Sequence, residues 1–108
     1  MSSYVLIETR DPFDSADCER FWELAEGLAD QQHDVTVYFA QNAVLAARRA
    51  TTREQAVIRL ASHATVLADD FSLRERAIGD DELADGVRVG TMDRLVDLAV
   101  DGRKILWH

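Results

Sequence analysis

Short apolar runs rich in β-branched and aromatic residues recur along this chain, and segments with helical spacing separate them. Tyr4–Thr9 (YVLIET), Val35–Phe39 (VTVYF) and Thr65–Ala68 (TVLA) are the first three runs, and Val87–Val89 and Lys104–Trp107 (KILW) are shorter ones. Each reads as a strand. Strands that alternate with helices are joined by crossovers and lie parallel. The order β-α-β-α-α-β-α-β-α-β predicts an α/β fold, a three-layer α/β/α sandwich around a mostly parallel five-stranded sheet.

The helix boundaries carry their own signals. Asp11-Pro12 breaks the first strand. Asp14 or Ser15 can then cap a helix to about Gln32, with Cys18, Phe21, Trp22, Ala25, Leu28 and Ala29 on its apolar side. Asn42, a preferred N-cap type, predicts a helix from Ala43 to about Arg49. Thr52 with Gln55 forms a capping-box pattern for a helix ending near Ser62. Ser72 to Ala77 reads as a short helix with Gly79 as its stop, and Asp80 to Ala84 as one more turn. Thr91 is the expected cap of a helix whose face is Met92, Leu95, Val96 and Ala99, and Gly102 ends it. Linkers are short, and residues 1–108 read as one domain.

Charge narrows the function. The chain of 108 residues carries a net charge of −8, with Lys104 its only lysine. That argues against a direct nucleic-acid partner, which needs a basic footprint, and against an anionic membrane surface. No segment approaches the roughly 20 apolar residues of a membrane span. Met1-Ser2-Ser3 leads straight into a strand-like run, so no signal peptide is expected and the expected location is the cytoplasm. A chain of this length can bury a core without staples. Its single cysteine excludes an internal disulfide and a cysteine-clustered zinc site. No glycine-rich phosphate or dinucleotide loop follows the first strand, and no cofactor is expected.

The stretch Thr65–Ile78 concentrates the candidate chemistry. A strand running into a helix places its last residues at the sheet's carboxyl edge, where α/β folds bind ligands. Asp69 and Asp70 stand there. Either they form a paired acidic site for a cation or a base, or one caps the following helix while the other is solvated. Arg74 and Arg76 can meet an anion or make ion pairs. Cys18 is either a thiol activated near a helix start or a member of the buried stripe with Phe21 and Ala25. None of His33, His63 and His108 lies within three or four residues of another histidine or of the cysteine, so no local metal-ligand pair exists, and His33 and His63 read as solvated turn residues.

The first strand followed by Asp11-Pro12, Val37-Tyr38-Phe39 leading to Ala43-Val44, Leu67 to Asp70 followed by Leu73-Arg74-Glu75-Arg76-Ala77-Ile78, and then Leu83-Ala84-Asp85-Gly86-Val87 together resemble the DsrE/DsrF-like family, which includes TusD-like sulfur-relay subunits. The resemblance covers essentially the whole chain and implies a small α/β/α domain. It implies assembly as a homo-oligomer (dimer, trimer or hexamer) or as a hetero-oligomer with DsrE-like paralogues, and a sulfur-carrier protein as partner. The activity it implies is persulfide relay for tRNA thiolation or sulfur oxidation, on a cysteine just after the third strand. Here that position is Asp69 when aligned on Arg76, or Asp70 one register on. The Arg-Gly that often follows is Arg76-Ala77, and the glycine that often opens the second helix is Ala43. A carboxylate cannot accept and donate sulfane sulfur, so no catalytic residue carries over. The expectation is a non-catalytic subunit that retains a former active-site loop, Asp69, Asp70, Phe71, Ser72, Arg76 and Asn42, with Phe39 and Phe71 lining a small pocket or subunit contact. The rivals are a sulfurtransferase or carrier using Cys18, and a small-molecule binding or hydrolytic site at Asp69-Asp70.

Overall fold

Strands that are apolar on consecutive residues need cover on both sides, and the chain supplies it asymmetrically. The computed structural model describes residues 2–108. Its elements are β1 (Ser3–Glu8), α1 (Cys18–Asp30), β2 (Asp34–Phe39), a 3-10 helix (Gln41–Ala47), α2 (Glu54–His63), β3 (Thr65–Asp69), α3 (Asp70–Glu75), a 3-10 turn (Asp80–Glu82), β4 (Val87–Gly90), α4 (Met92–Val100) and β5 (Lys104–Trp107). The five strands lie in the order β4-β3-β2-β1-β5, and every neighbouring pair is parallel. The chain steps outward from β1 to β4, then crosses back to place β5 on the other side of β1. With right-handed crossovers, that reversal puts α4 on the opposite face from α1 and α2.

The larger core lies on the first face. Leu6, Val35, Val37, Phe39, Val66 and Ala68 meet Cys18, Trp22 and Ala25 of α1, Val57 and Leu60 of α2, and the alanine-rich 3-10 helix. Trp22 stacks on Phe39 with ring centroids 5.4 Å apart, so Phe39 belongs to this core and not to a pocket or subunit contact. The alternate strand residues Val5 and Ile7 point to the second face, where, among the described residues, Leu98 with Leu95 beside it packs on them. The face expected for α4 is therefore corrected: Leu98 and Leu95 turn inward, while Met92, Val96 and Val100 form an exposed apolar stripe at four-residue spacing.

Several helix ends differ from expectation for local reasons. Asp11 folds its own backbone into a turn, its carboxylate accepting from the Phe13 amide and its carbonyl from Asp14 and Ser15. These bonds use residues that could have opened a helix, and α1 begins only at Cys18. Asn42 lies inside the 3-10 helix and makes no cap bond. The Thr52–Gln55 capping box does not form; the Thr51 hydroxyl accepts from the Arg53 amide, and α2 starts at Glu54. Thr91 does cap α4, its hydroxyl accepting from the Arg94 amide.

The stop of α3 is not Gly79, whose φ is −83°. It is Ala77, in the left-handed region at φ 54°. The Ala77 amide donates to Arg74 and the Ile78 amide to Leu73, a complete Schellman closure. Leu73 and Ile78, both buried, supply its apolar contact. The Arg-Gly of the resemblance thus has a backbone cause, because a left-handed residue with a Cβ is strained. Ala77→Gly is expected to stabilise the protein by roughly 0.5–1 kcal/mol, read as a thermal midpoint raised by a few degrees. An unchanged or lowered midpoint would show that the αL strain is absent.

Candidate functional site at the end of the third strand

Asp69 is the last residue of β3, its side chain on the second face of the sheet, and only 4% exposed. Tyr38 reaches it from β2. In the parallel register Tyr38 sits beside Leu67, and Asp69 is two residues further along on the same side. The Tyr38 hydroxyl donates to Asp69 Oδ1 at 2.5 Å. Asp69 Oδ2 accepts from both the amide and the hydroxyl of Ser72, at 2.9 and 2.7 Å. Asp69 is therefore the N-cap of α3. Gly90 makes room: a Cβ there would lie 2.9 Å from Leu67 and 3.0 Å from the Tyr38 ring.

Burial alone would raise the Asp69 pKa. The hydrogen bonds from Tyr38 and Ser72, with the Arg74 charge, outweigh it and hold the carboxyl below the ordinary aspartate range. Tyr38 moves the other way: burial and then the Asp69 carboxylate keep its phenol protonated as a donor.

The other loop residues divide into two groups. Ser72, Arg76 and Asn42 join Asp69 in a clamp between two loops. The Ser72 hydroxyl accepts from the Gln41 amide at 2.8 Å. The Arg76 guanidinium donates to Asn42 Oδ1 at 2.9 Å and to the Ser72 carbonyl at 3.1 Å. Asp70 and Phe71 face outward instead. With Asp69, Arg74, Thr91, Met92 and Asp93 they line an open cleft of about 400 Å³. Asp70 pairs with Arg74 one helical turn away, at 3.3 Å. The adjacent aspartates thus do not act as a pair, since one is a buried cap and the other a solvated ion-pair partner.

A sequence profile of the DsrE/DsrF-like family matches residues 2–107. The chain belongs to the DsrE/DsrF-like family. Among solved structures it is similar to the YchN protein of E. coli, with a TM-score of 0.91 at 23% identity over the whole of both chains. The MTH1491 protein of Methanobacterium thermoautotrophicum also matches over the whole of both chains, with a TM-score of 0.82 at 18% identity. BT1422 of Bacteroides thetaiotaomicron is similar too, with a TM-score of 0.82 at 14% identity over 99% of this chain and 95% of that one. These likenesses show a shared fold. No curated protein matches the chain in sequence.

The lone thiol of this DsrE-family chain lies elsewhere. Cys18 is the first residue of α1 and is buried. Burial, and then the neighbouring Glu8 carboxylate, push its pKa up to about 12. A thiol so protonated is a poor nucleophile. Glu8, which the sequence did not single out, and His108, whose link to Cys18 it did not show, lie beside it. His108 Nδ1 lies 2.8 Å from Glu8 Oε2. Chain positions 8, 18 and 108 share no spacing signal, and only the β1–β5 pairing brings them together. His33 and His63 are engaged locally: His33 accepts from the Ser2 amide, and His63 lies 3.6 Å from Asp30. Among the described residues, no helix is long and apolar enough to cross a membrane.

Proposed function

We propose that this chain is a non-catalytic, oligomeric DsrE-family subunit that binds or scaffolds a partner in intracellular sulfur trafficking. The observation that carries the reading is the commitment of Asp69. Aligned on Arg76, Asp69 takes the place of the family pattern's sulfur-carrying cysteine, and it is a buried carboxylate with both oxygens spent on Tyr38 and Ser72. Such a group holds the β3–α3 junction in place and has no sulfur chemistry.

Assembly is supported by the distribution of apolar surface. Exposed large apolar side chains concentrate on α4 (Met92, Val96, Val100) and on β5 (Ile105, Trp107). A helix apolar on two sides is normally covered on both, and β5 is an edge strand with an open hydrogen-bonding side. The occupant proposed for this face is a second copy of the chain or a DsrE-like paralogue. The acidic cleft beside Phe71 then remains as a contact for a partner segment that is basic and apolar. Light scattering of the purified protein is expected to give a multiple of the 12.1 kDa chain mass. Intact-mass spectrometry after incubation with a persulfide donor is expected to show no added sulfur on the native protein. A monomer at every concentration, or sulfur retained on Cys18, would overturn the reading.

A further inference from the structure

We propose that Glu8, Cys18 and His108 form a binding site for a divalent transition metal, with zinc as the best fit. The site is separate from the β3–α3 junction and does not depend on the function read there.

Three elements build it. Glu8 ends β1, Cys18 opens α1, and His108 follows β5. The strand order reverses between β1 and β5, and in α/β sheets the carboxyl ends of strands at such a reversal are where ligands bind. His108 is held from both sides. Its amide donates to the Ile7 carbonyl at 2.9 Å, its carbonyl accepts from the Thr9 amide at 3.0 Å, and its ring stacks on Phe21 with centroids 5.0 Å apart. One sulfur, one nitrogen and one oxygen donor thereby lie within 4.8 Å of one another.

The second observation is an unmatched acceptor. Glu8 is 0% exposed, yet among the described residues its Oε1 finds no hydrogen-bond partner. A buried carboxylate oxygen left without a donor is costly. A cation among these three donors would supply what Oε1 lacks. Bond lengths of about 2.0–2.3 Å put tetrahedral donors on the order of 3.5 Å apart, so modest side-chain rotations close the set.

Charge and ligand type select the ion. A thiolate and a carboxylate neutralise a divalent ion, so the buried complex carries no net charge. Mixed sulfur, imidazole and carboxylate ligation suits zinc, whereas calcium and magnesium take oxygen ligands only. Binding expels the Cys18 thiol proton and replaces the Glu8–His108 hydrogen bond with a bond from each residue to the metal. Water takes the fourth position on the side of His108, the least enclosed of the three.

Cobalt(II) and zinc(II) titrations of the metal-free full chain test the site. Cobalt is expected to bind at one equivalent per chain and to give a thiolate-to-cobalt charge-transfer band that zinc abolishes. Cys18→Ser is expected to lose that band, and His108→Ala to weaken zinc binding by at least about tenfold. Zinc is expected to raise the thermal midpoint of the native chain, and a chelator to reverse the rise. The proposal is overturned if the native chain shows no such band, or if Cys18→Ser and His108→Ala bind zinc as the native chain does, which would mark adventitious binding by surface carboxylates.

Discussion

Asp69→Asn is expected to destabilise the protein by roughly 3 kcal/mol at neutral pH, since it removes an ionised N-cap and charge-assisted hydrogen bonds from a buried site. For a chain of this size that corresponds to a thermal midpoint lower by on the order of 15 °C. The amide cannot replace the carboxylate, because Tyr38 and Ser72 both donate to Asp69. Its NH2 must face one of these donors. Asp70→Asn, one residue on, removes only a solvated partner of Arg74 and is expected to cost less than about 0.5 kcal/mol. Midpoints measured at one fixed protein concentration separate the two variants. Equal, small effects would mean that the Asp69 network carries no stability, and the structural basis of the proposed function would go with it.

The pH dependence follows from the same bonds. The folded-state pKa of Asp69 is lowered from that of the free side chain. Its contribution is therefore fully present above the unfolded-state value of about 3.9, and is lost as pH falls through the folded-state pKa. The stability gap between the native chain and Asp69→Asn should be constant near neutrality and narrow below about pH 4. A gap that widens in acid would contradict the sign.

Period and propensity made the strands, their order of appearance and the helical alternation legible, because runs such as Val35–Phe39 have no other stable use than a covered strand. Helix starts were harder to read. Asp14 or Ser15, Thr52 and Asn42 are good capping types, but a competing bond prevails near each: the Asp11 carbonyl takes the Asp14 and Ser15 amides, the Thr51 hydroxyl next to Thr52 takes the Arg53 amide, and Asn42 Oδ1 takes the Arg76 guanidinium. The candidate site was half legible. A strand-to-helix junction with adjacent aspartates announces a cap, but only sheet register shows that Tyr38 locks one of them. The grouping of Glu8, Cys18 and His108 gave no signal, since their proximity exists only once β5 lies beside β1. The apolar spacing of α4 was visible, whereas which of its two stripes would meet the sheet depends on the crossover geometry.

Trp107→Glu combined with Val100→Asp is expected to convert the assembled protein to a monomer while leaving the protomer folded. Both side chains are open to solvent in the single chain, Trp107 at 69% and Val100 at 78%, so charging them costs the isolated fold little. Buried in a contact between copies, each charge would be desolvated without a partner at a cost of several kcal/mol. At about 1.4 kcal/mol per decade, the dissociation constant should rise at least ~100-fold. Leu98 is the contrasting position. It lies on the same helix but faces Val5 and Ile7, so Leu98→Ala should destabilise the protomer by about 2–5 kcal/mol. It should do so without selectively dissociating the assembly. The double variant is diagnostic through the pairing of two readouts: unchanged far-ultraviolet circular dichroism with the scattering mass reduced to one chain. An assembly of unchanged mass would place the contact elsewhere on the surface and remove α4 and β5 from the proposed interface.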